Sequence, residues 1–423
     1  MELSNKQQIV FNKYLDGASV FMTGPGGSGK SFLIRHIYED AISKGLKIKV
    51  TAMTGCAAIL LQCNASTIHS WAGIGIADKS VDYYVSSIRK NRRYREKWLK
   101  TDILIIDEVS MMSKQLFDKL NEIGKKIRMN DRPFGGIQLI FSGDFYQLPP
   151  IIKDENDGFC FESDDWNNVF TNQIELKVNY RQEDKVFVKI LKNLRKGKIK
   201  KKHVELLREY VGREVEDTLL VKPIKLYPIN NKVNAVNKKE LDKLETKEYE
   251  FEIEINNNIK NNRVKKTDID RETDYLKKNI FNNENLKLKI GAQVMCTYNL
   301  NVSIGICNGS LGIITNIVND TPVVLFNNGV EMNMERKKYE SENIEGLSIS
   351  QYPLVLAYAI SIHKSQGTTL DSAEIDIGNS IFECGQIYVA LSRLTSLDGL
   401  YIKHFDPNKI YVNELVKNYY NNL

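Results

Sequence analysis

Gly24-Pro25-Gly26-Gly27-Ser28-Gly29-Lys30-Ser31 decides the fold of this 423-residue chain. The stretch fits G-x-x-x-x-G-K-[ST], a glycine-rich loop whose backbone N–H groups can close around phosphate oxygens. Val20-Phe21-Met22 reads as a short strand before it, and Ser31 to Ile37 as a helix after it. The helix N-terminus then points at the anion. Further along, Ile103-Leu104-Ile105-Ile106 is a continuous apolar run, as a strand buried on both faces requires. It ends in Asp107-Glu108-Val109-Ser110-Met111-Met112. One of the two acids can hold Mg2+ and the other can orient an attacking water. Adjacent acids alone mean little, because at strand ends they are common and solvated. Both motifs in order, each after an apolar strand, point to a nucleotide-hydrolysing enzyme. Gly24, Pro25 and Ser28 complete the loop, and Gly26, Gly27 and Gly29 leave room for phosphates. Lys30 would bridge the terminal phosphates, Ser31 would ligate the metal, Asp107 would complete its shell, and Glu108 is the candidate base.

The length suits two to four domains. Hydrophobic residues make up 42% and charged residues 26%, an ordinary globular composition. No apolar run approaches a membrane span, and no charged-then-apolar leader opens the chain, so a soluble, intracellular protein without a membrane partner is expected. The Asn, Lys and Ile usage hints at an AT-rich genome, and a nucleus, a viral factory or a microbial cytoplasm would each fit. The six cysteines are scattered without a C-x-x-C pair, which argues against structural zinc and a disulfide framework. A net charge of +6 permits a nucleic-acid partner without demanding one. Its distribution says more: Lys185 to Lys202 holds nine Lys or Arg and no acid, and Arg89 to Arg95 is a second basic run. Each reads either as a solvated helix face or as a phosphate contact.

Strand–helix alternation over residues 1–180 predicts a mainly parallel sheet wrapped by helices, with strands at 19–23, 47–53, 102–106 and 137–142. Residues 65–98 interrupt this rhythm with a polar, basic and aromatic insertion. Residues 183–211 read as helical, and 230–285 as irregular and partly mobile. From 286 to about 335, short strands with Gly and Asn turns suggest a small antiparallel barrel. Leu354 to Ile362 reads as one buried strand.

Three later segments add chemistry. Gly143 to Pro150 (GDFYQLPP) follows a core strand, and its amide, Gln147, could sense a terminal phosphate; the segment reads equally as a loop closed by two prolines. Ser361 to Thr369 (SIHKSQGTT) is a polar loop able to touch a backbone phosphate or the nucleotide. Tyr388 to Arg393 (YVALSR) ends in an arginine that could stabilise transition-state charge, although alone it reads as a salt-bridge partner. Asn179-Tyr180-Arg181-Gln182 carries another arginine.

The order and wording of these segments resemble the superfamily 1, group B DNA helicases, most closely the petite-integration-frequency (PIF) helicases, over nearly the whole chain. Leu3-Ser4-Asn5-Lys6-Gln7 looks like their adenine-reading motif, with Gln7 as reader. Thr51 to Gly55 and Thr67 to Gly73 look like early single-strand-binding motifs. Phe117 to Leu120 and Arg132 to Ile140 are similar to the signature that separates this family from RecD-type relatives. Leu286 to Met295 resembles the entry to a Src-homology-3-like barrel.

The resemblance implies an α/β fold with two RecA-like P-loop domains and ATP bound between them. Residues 1–64 and 99–180 would form the first, 65–98 a wedge insertion, 181–295 and 346–423 the second, and 296–345 an inserted barrel. It implies ATP and Mg2+ as cofactors, Gln147 as phosphate sensor, and Arg181 and Arg393 as arginine fingers. Gln366 and Gly367 would couple the nucleotide to the strand. Thr54, Gly55, His69, Trp71, His363, Lys364 and Ser365 fall on the nucleic-acid motifs. His69, Trp71 and His363 could stack on bases, with packing inside their own domain as the other reading, the favoured one for Trp71. The implied function is a 5′-to-3′ ATP-dependent DNA helicase, a monomer acting on single-stranded and forked DNA, with guanine quadruplexes and RNA–DNA hybrids as further family substrates. The rivals are a nucleotide-dependent nucleic-acid-binding module that never unwinds, an RNA-directed helicase, and a RecD-type subunit. The first motif begins at Leu3, so a minimal N-terminal region without an organelle-targeting leader is expected.

Overall fold

The apolar runs of the N-terminal half become strands because they can be covered on both faces. The computed structural model describes all residues except 1, 153, 155, 217–218, 261–263, 281–284, 342 and 379–380. The chain divides into two units, one of residues 1–199, 383–392 and 410–423, the other of 200–382 and 393–409.

In the first unit, β1 (Val20–Thr23), β2 (Ile48–Ala52), β3 (Ser66–Thr67), β4 (Ile103–Asp107), β5 (Gln138–Gly143) and β6 (Asn172–Glu175) form one parallel sheet in the order β3-β2-β4-β5-β1-β6. Four of the strands match the expected positions within two residues. Parallel pairing forces each crossover through a helix. Val10, Leu33, Ile34, Ile37 and Ala58, from α1 (Asn5–Leu15), α2 (Lys30–Ser43) and α3 (Gly55–Leu61), cover one face. The other face is covered by α4 (Ile68–Ala72), α5 (Val81–Lys90), α6 (Arg92–Lys100) and α7 (Lys114–Arg128). Ser80 caps α5 through the Tyr83 N–H and Asn91 caps α6 through the N–H groups of Arg93 and Tyr94. The insertion expected at 65–98 is therefore helical. It shares its core with the sheet, since Trp71, Tyr84, Ile88 and Trp98 belong to the same cluster as Phe117 and Phe141.

The signature after α7 has a packing cause. A Cβ on Gly124 would lie 2.7 Å from the Phe134 backbone, so the helix can meet the Pro133–Gly136 turn only through glycine. The Arg128 guanidinium donates to the carbonyls of Gly135 (2.7 Å), Trp98 (2.6 Å) and Thr101 (3.0 Å). The short α8 (Trp166–Val169) and α9 (Lys185–Arg195) complete this part of the unit.

The second unit opens with α10 (Lys201–Arg208), β7 (Ile224–Tyr227) and α11 (Asn230–Asp242), then β8 (Glu248–Phe251), β9 (Glu254–Asn257) and α12 (Lys266–Asn279). The stretch 230–285, expected to be irregular, is thus mostly regular, although 261–263 and 281–284 lie outside the described residues. Its helices bury few side chains (Val233 and Leu241 on α11), which is why the apolar pattern is faint. Next come β10 (Leu286–Lys289), β11 (Gln293–Cys296), β12 (Leu311–Val318), β13 (Thr321–Phe326), β14 (Glu331–Asn333), β15 (Lys337–Glu340), β16 (Leu347–Gln351) and β17 (Leu354–Leu356). The antiparallel sheet β14-β13-β12-β11-β17 gathers Val294, Ile314, Val324, Phe326 and Leu354 into one core. A parallel sheet of β18 (Ala359–Ser361), β7, β19 (Ala373–Ile377) and β20 (Leu400–Phe405) completes the unit. The run 354–362, expected as one strand, breaks at Ala357-Tyr358 and serves both sheets. The chain enters the first unit again as α13 (Gln386–Leu391) and α14 (Glu414–Asn421), so 181–199, 383–392 and 410–423, expected with the second RecA-like domain, pack with the first. Among the described residues, no helix is long and apolar enough to cross a membrane, and no disulfide joins the six cysteines.

Candidate nucleotide site

A parallel sheet delivers the C-terminal ends of its strands to one edge, where loops collect. Here β1, β4 and β5 end at Thr23, Asp107 and Gly143, and bring together residues 24–31, 107–112 and 143–150. The loop after β1 needs its glycines. Gly27 has φ +81° and a Cβ there would lie 2.7 Å from Arg181 Cβ; Gly29 has φ +82° and caps α2, which starts at Lys30. The α2 N-terminus and the loop amides make a concavity suited to an anion. The Ser28 hydroxyl is buried there and has no hydrogen-bond partner among the described residues, while Ser31 is exposed.

Lys30 Nζ donates to the carbonyls of Gly24 (2.7 Å) and Pro25 (3.1 Å). Burial pushes its pKa down, and the carboxylates of Asp144, Glu108 and Asp107 pull it back. Asp107 is buried and its pKa is pushed up by that burial, against the Ser142 hydroxyl and Lys30. Glu108 has left-handed backbone angles (φ 56°, ψ 39°), which for a residue with a side chain costs on the order of 1–3 kcal/mol. Among the described residues no group of three or more His, Cys, Asp or Glu is placed to hold a metal ion.

Gln147 is buried beyond β5, and its N–H donates to the Asp144 carbonyl (2.8 Å). Asp144 receives a fork from Arg195, with Nε to Oδ2 and Nη2 to Oδ1 both at 2.9 Å, and Arg195 Nη1 reaches Glu175 (2.9 Å). The guanidinium also lies over the rings of Tyr146 (4.9 Å) and Tyr420 (5.0 Å). Tyr420, on α14, donates to Asp144 (3.2 Å), accepts from the Phe145 N–H (3.1 Å) and shares a hydrogen bond with Thr23 (2.5 Å). Burial works against the Arg195 charge, but Asp144 outweighs it and holds the group protonated. Arg195 is only 5% exposed, so this member of the basic run is neither a solvated face nor a phosphate contact.

Gln7 is buried. Its Oε1 accepts from the Ser4 N–H and hydroxyl (2.9 Å each) and its Nε2 donates to the Gly29 carbonyl (3.3 Å), which ties α1 to the loop. Tyr180, which sequence reasoning missed, packs its ring 3.3 Å from the position of a Gly29 Cβ. Arg181 borders Gly27 and donates Nη1 to the Ser392 carbonyl (2.7 Å).

The remaining candidates separate. Thr54 caps α3 by accepting from the Ala57 N–H, with Gly55 next to it, and both are half-buried. His69 is half-buried, and burial lowers its pKa. Trp71 is 0% exposed, packed on Trp98 with ring centroids 4.6 Å apart, so its face is closed to a base. In the second unit, His363 and Gly367 are exposed, Lys364 half-buried, and Gln366 and Arg393 buried. Ser365 is fully buried and spends its hydroxyl on the Ile362 carbonyl (2.8 Å), so it is a turn residue, not a strand contact.

A family model described as PIF1-like helicase matches residues 2–205, and one for the DNA helicase Pif1 2B domain matches 273–317. The solved Pif1 helicase from Candida albicans is 34% identical, with 100% of this chain and 99% of that chain covered and a TM-score of 0.79. The chain belongs to the PIF1-like helicase family. To the ATP-dependent DNA helicase PIF1 of Danio rerio it is 37% identical over 429 residues, covering 100% of this chain and 64% of the relative. The chain thus spans a little under two thirds of that relative's length. A Pif1 helicase from Bacteroides, solved with ADP-AlF3 and single-stranded DNA, is 29% identical with a TM-score of 0.67, covering 100% and 97% of the two chains. Membership in the PIF1-like family agrees with the resemblance read from Gln7, the phosphate loop and the signature after Phe117. It also explains why the antiparallel sheet of the second unit overlaps a 2B-domain match.

Proposed function

We propose that this chain is an ATP-dependent DNA helicase that moves 5′-to-3′ along single-stranded DNA and opens duplexes ahead of it. The observation that carries the reading is the meeting of Gly24–Ser31, Asp107-Glu108 and Gly143–Gln147 at one edge of a parallel sheet, in a member of the PIF1-like helicase family. Gln7 would read the base. The loop amides and Lys30 would hold the phosphates, with Lys30 as a point charge. Ser31 and Asp107 would hold Mg2+, which supplies positive charge against the phosphates when bound. Glu108 would accept the proton of the attacking water. Gln147, anchored through Asp144, would register whether a terminal phosphate is present. Arg181 and Arg393 would offset charge that develops during transfer, with Gln366 and Gly367 relaying the nucleotide state.

Strand contact would come from Thr54, Gly55, His69, His363 and Lys364. Phosphate contacts make binding sequence-tolerant and salt-sensitive. Forked DNA, guanine quadruplexes and RNA–DNA hybrids are the structured substrates that go with this reading, and a monomer is the form in solution. The first test is ATP hydrolysis with and without single-stranded DNA. The reading expects strong stimulation, abolished in Lys30→Ala and in Glu108→Gln. Stimulation by RNA alone would favour the RNA-directed reading instead. Undiminished hydrolysis by clean Lys30→Ala protein would remove the site assignment.

A further inference from the structure

Past the last rung of a parallel ladder, two backbones are free to part. β1 and β5 stay paired up to Thr23 opposite Gly143, and the phosphate loop and the Gln147 loop begin there. A side chain from the far end of the sequence joins the two roots. The Tyr420 hydroxyl, on α14, shares a hydrogen bond with the Thr23 hydroxyl (2.5 Å) on the phosphate-loop side. On the other side it accepts from the Phe145 N–H (3.1 Å) and donates to Asp144 (3.2 Å). A phenol has one proton to give and an oxygen that accepts. With its proton given to Asp144, Thr23 and Phe145 are the donors, and the three partners fill the group's capacity.

The ring is held as firmly as the hydroxyl. It stacks on Tyr146 with centroids 4.5 Å apart and planes 15° from parallel, and the Arg195 guanidinium lies 5.0 Å from its centroid. Asp144 in turn closes the bend that carries Gln147. Its carbonyl accepts the Gln147 N–H (2.8 Å) and its carboxylate accepts the Tyr146 N–H (3.3 Å). A line of hydrogen bonds therefore runs from Thr23, next to Gly24, through one hydroxyl to the bend holding Gln147. Every member of that line belongs to the first unit.

From this geometry we infer that Tyr420 is a positioning residue, whose hydroxyl staples the root of the phosphate loop to the root of the Gln147 loop and so sets the rate of nucleotide hydrolysis. The inference rests on the nucleotide reading above and names what holds that site's two loops in register. Tyr420 acts through Thr23 and Asp144 and needs no contact with the nucleotide. Without the staple, the phosphate loop keeps its own amides and Lys30, so ATP still binds. Small displacements of groups around a reacting centre cost rate. The loss therefore falls on kcat and not on KM.

The test is ATP hydrolysis by the full chain with single-stranded DNA, alongside thermal melting. Tyr420→Phe keeps the ring and its stack on Tyr146 and removes only the oxygen. Its kcat should fall about tenfold or more, with KM for ATP within about twofold of wild type. Tyr419→Phe is the matched control, because that hydroxyl, on the same helix, bonds Gln173 of β6. It should lose a similar few degrees of melting temperature and keep the wild-type kcat. Thr23→Val cuts the same staple from the other side. It should lower kcat alone and lower it no further when added to Tyr420→Phe, and it carries the test should Tyr420→Phe fail to fold. An unchanged kcat in Tyr420→Phe would overturn the inference. So would an equal fall in Tyr419→Phe, which would reduce the effect to the seating of α14, or a raised KM at unchanged kcat. A wild-type chain that hydrolysed no ATP would overturn the nucleotide reading itself, and this inference with it.

Discussion

Asp144 and Arg195 form a buried fork whose strength depends on both partners being present. Removing one leaves the other charged and uncompensated in a low-dielectric site, which costs about 3–5 kcal/mol. Arg195→Ala should therefore lower the stability of the first unit by that amount in chemical denaturation. A loss below about 1 kcal/mol would mean that water already screens the pair. Arg195→Lys keeps a charge but not the two parallel donors, and should fall between. Lys30 gives a pH prediction. Burial holds its free-enzyme pKa below the ordinary 10.5. The folded state then carries fewer protons than the unfolded state between those two values, so this residue's contribution to stability rises with pH. Phosphate binding needs the charged amine, so it falls over the same range. The alkaline limb of kcat/KM, which reports the free enzyme, should break below 10.5, and a break at or above that value would contradict the buried amine.

At the scale of elements, the loops at the sheet edge were legible because their chemistry is local. The phosphate loop, Asp107-Glu108 and Gln147 each follow an apolar strand within a few residues, so periodicity and turn residues suffice to find them. The Asp144–Arg195–Tyr420 cluster was not legible, because its members lie 51 and 276 positions from Asp144 and no local pattern marks the pairing. Arg195 was hidden inside a basic run, where charge alone suggests solvent. Leu354 to Ile362 misled because an apolar run reports burial and not which sheet does the burying. Two predictions belong here. Gly124→Ala should destabilise by about 1–3 kcal/mol, since the added methyl meets the Phe134 backbone and not a side chain that can turn away. A melting temperature equal to wild type would show that α7 can shift to make room. In the loop after β18, exposed His363 and half-buried Lys364 should separate by mechanism. Lys364→Ala should reduce the salt slope of single-strand binding by about 0.7, whereas His363→Ala should weaken binding by about 1–3 kcal/mol with the slope unchanged. Titration at several salt concentrations distinguishes them.

At the scale of the whole molecule, the chain leaves its first unit near residue 199, builds the second, and returns twice. Helix α14 seats Val416, Tyr419 and Tyr420 in the aromatic core of the first unit, beside Phe145 and Phe161. Removing residues 410–423 should therefore unfold or inactivate a nucleotide site whose own motifs are intact, and full DNA-stimulated hydrolysis in the truncated chain would contradict that dependence. Only family resemblance made the two-unit plan readable beforehand, and it did so imperfectly. The boundaries at 181, 383 and 410 follow contacts between distant segments, which no window of sequence contains.

Strand displacement tests the central claim most directly. Labelled duplexes carrying a single-stranded tail at either the 5′ or the 3′ end are mixed with the chain and ATP, with Glu108→Gln as the blank. The account predicts displacement from the 5′-tailed duplex alone, absent without ATP and absent in the variant. Hydrolysis of ATP with neither duplex opened would contradict it, and would leave a nucleotide-dependent grip on nucleic acid in its place.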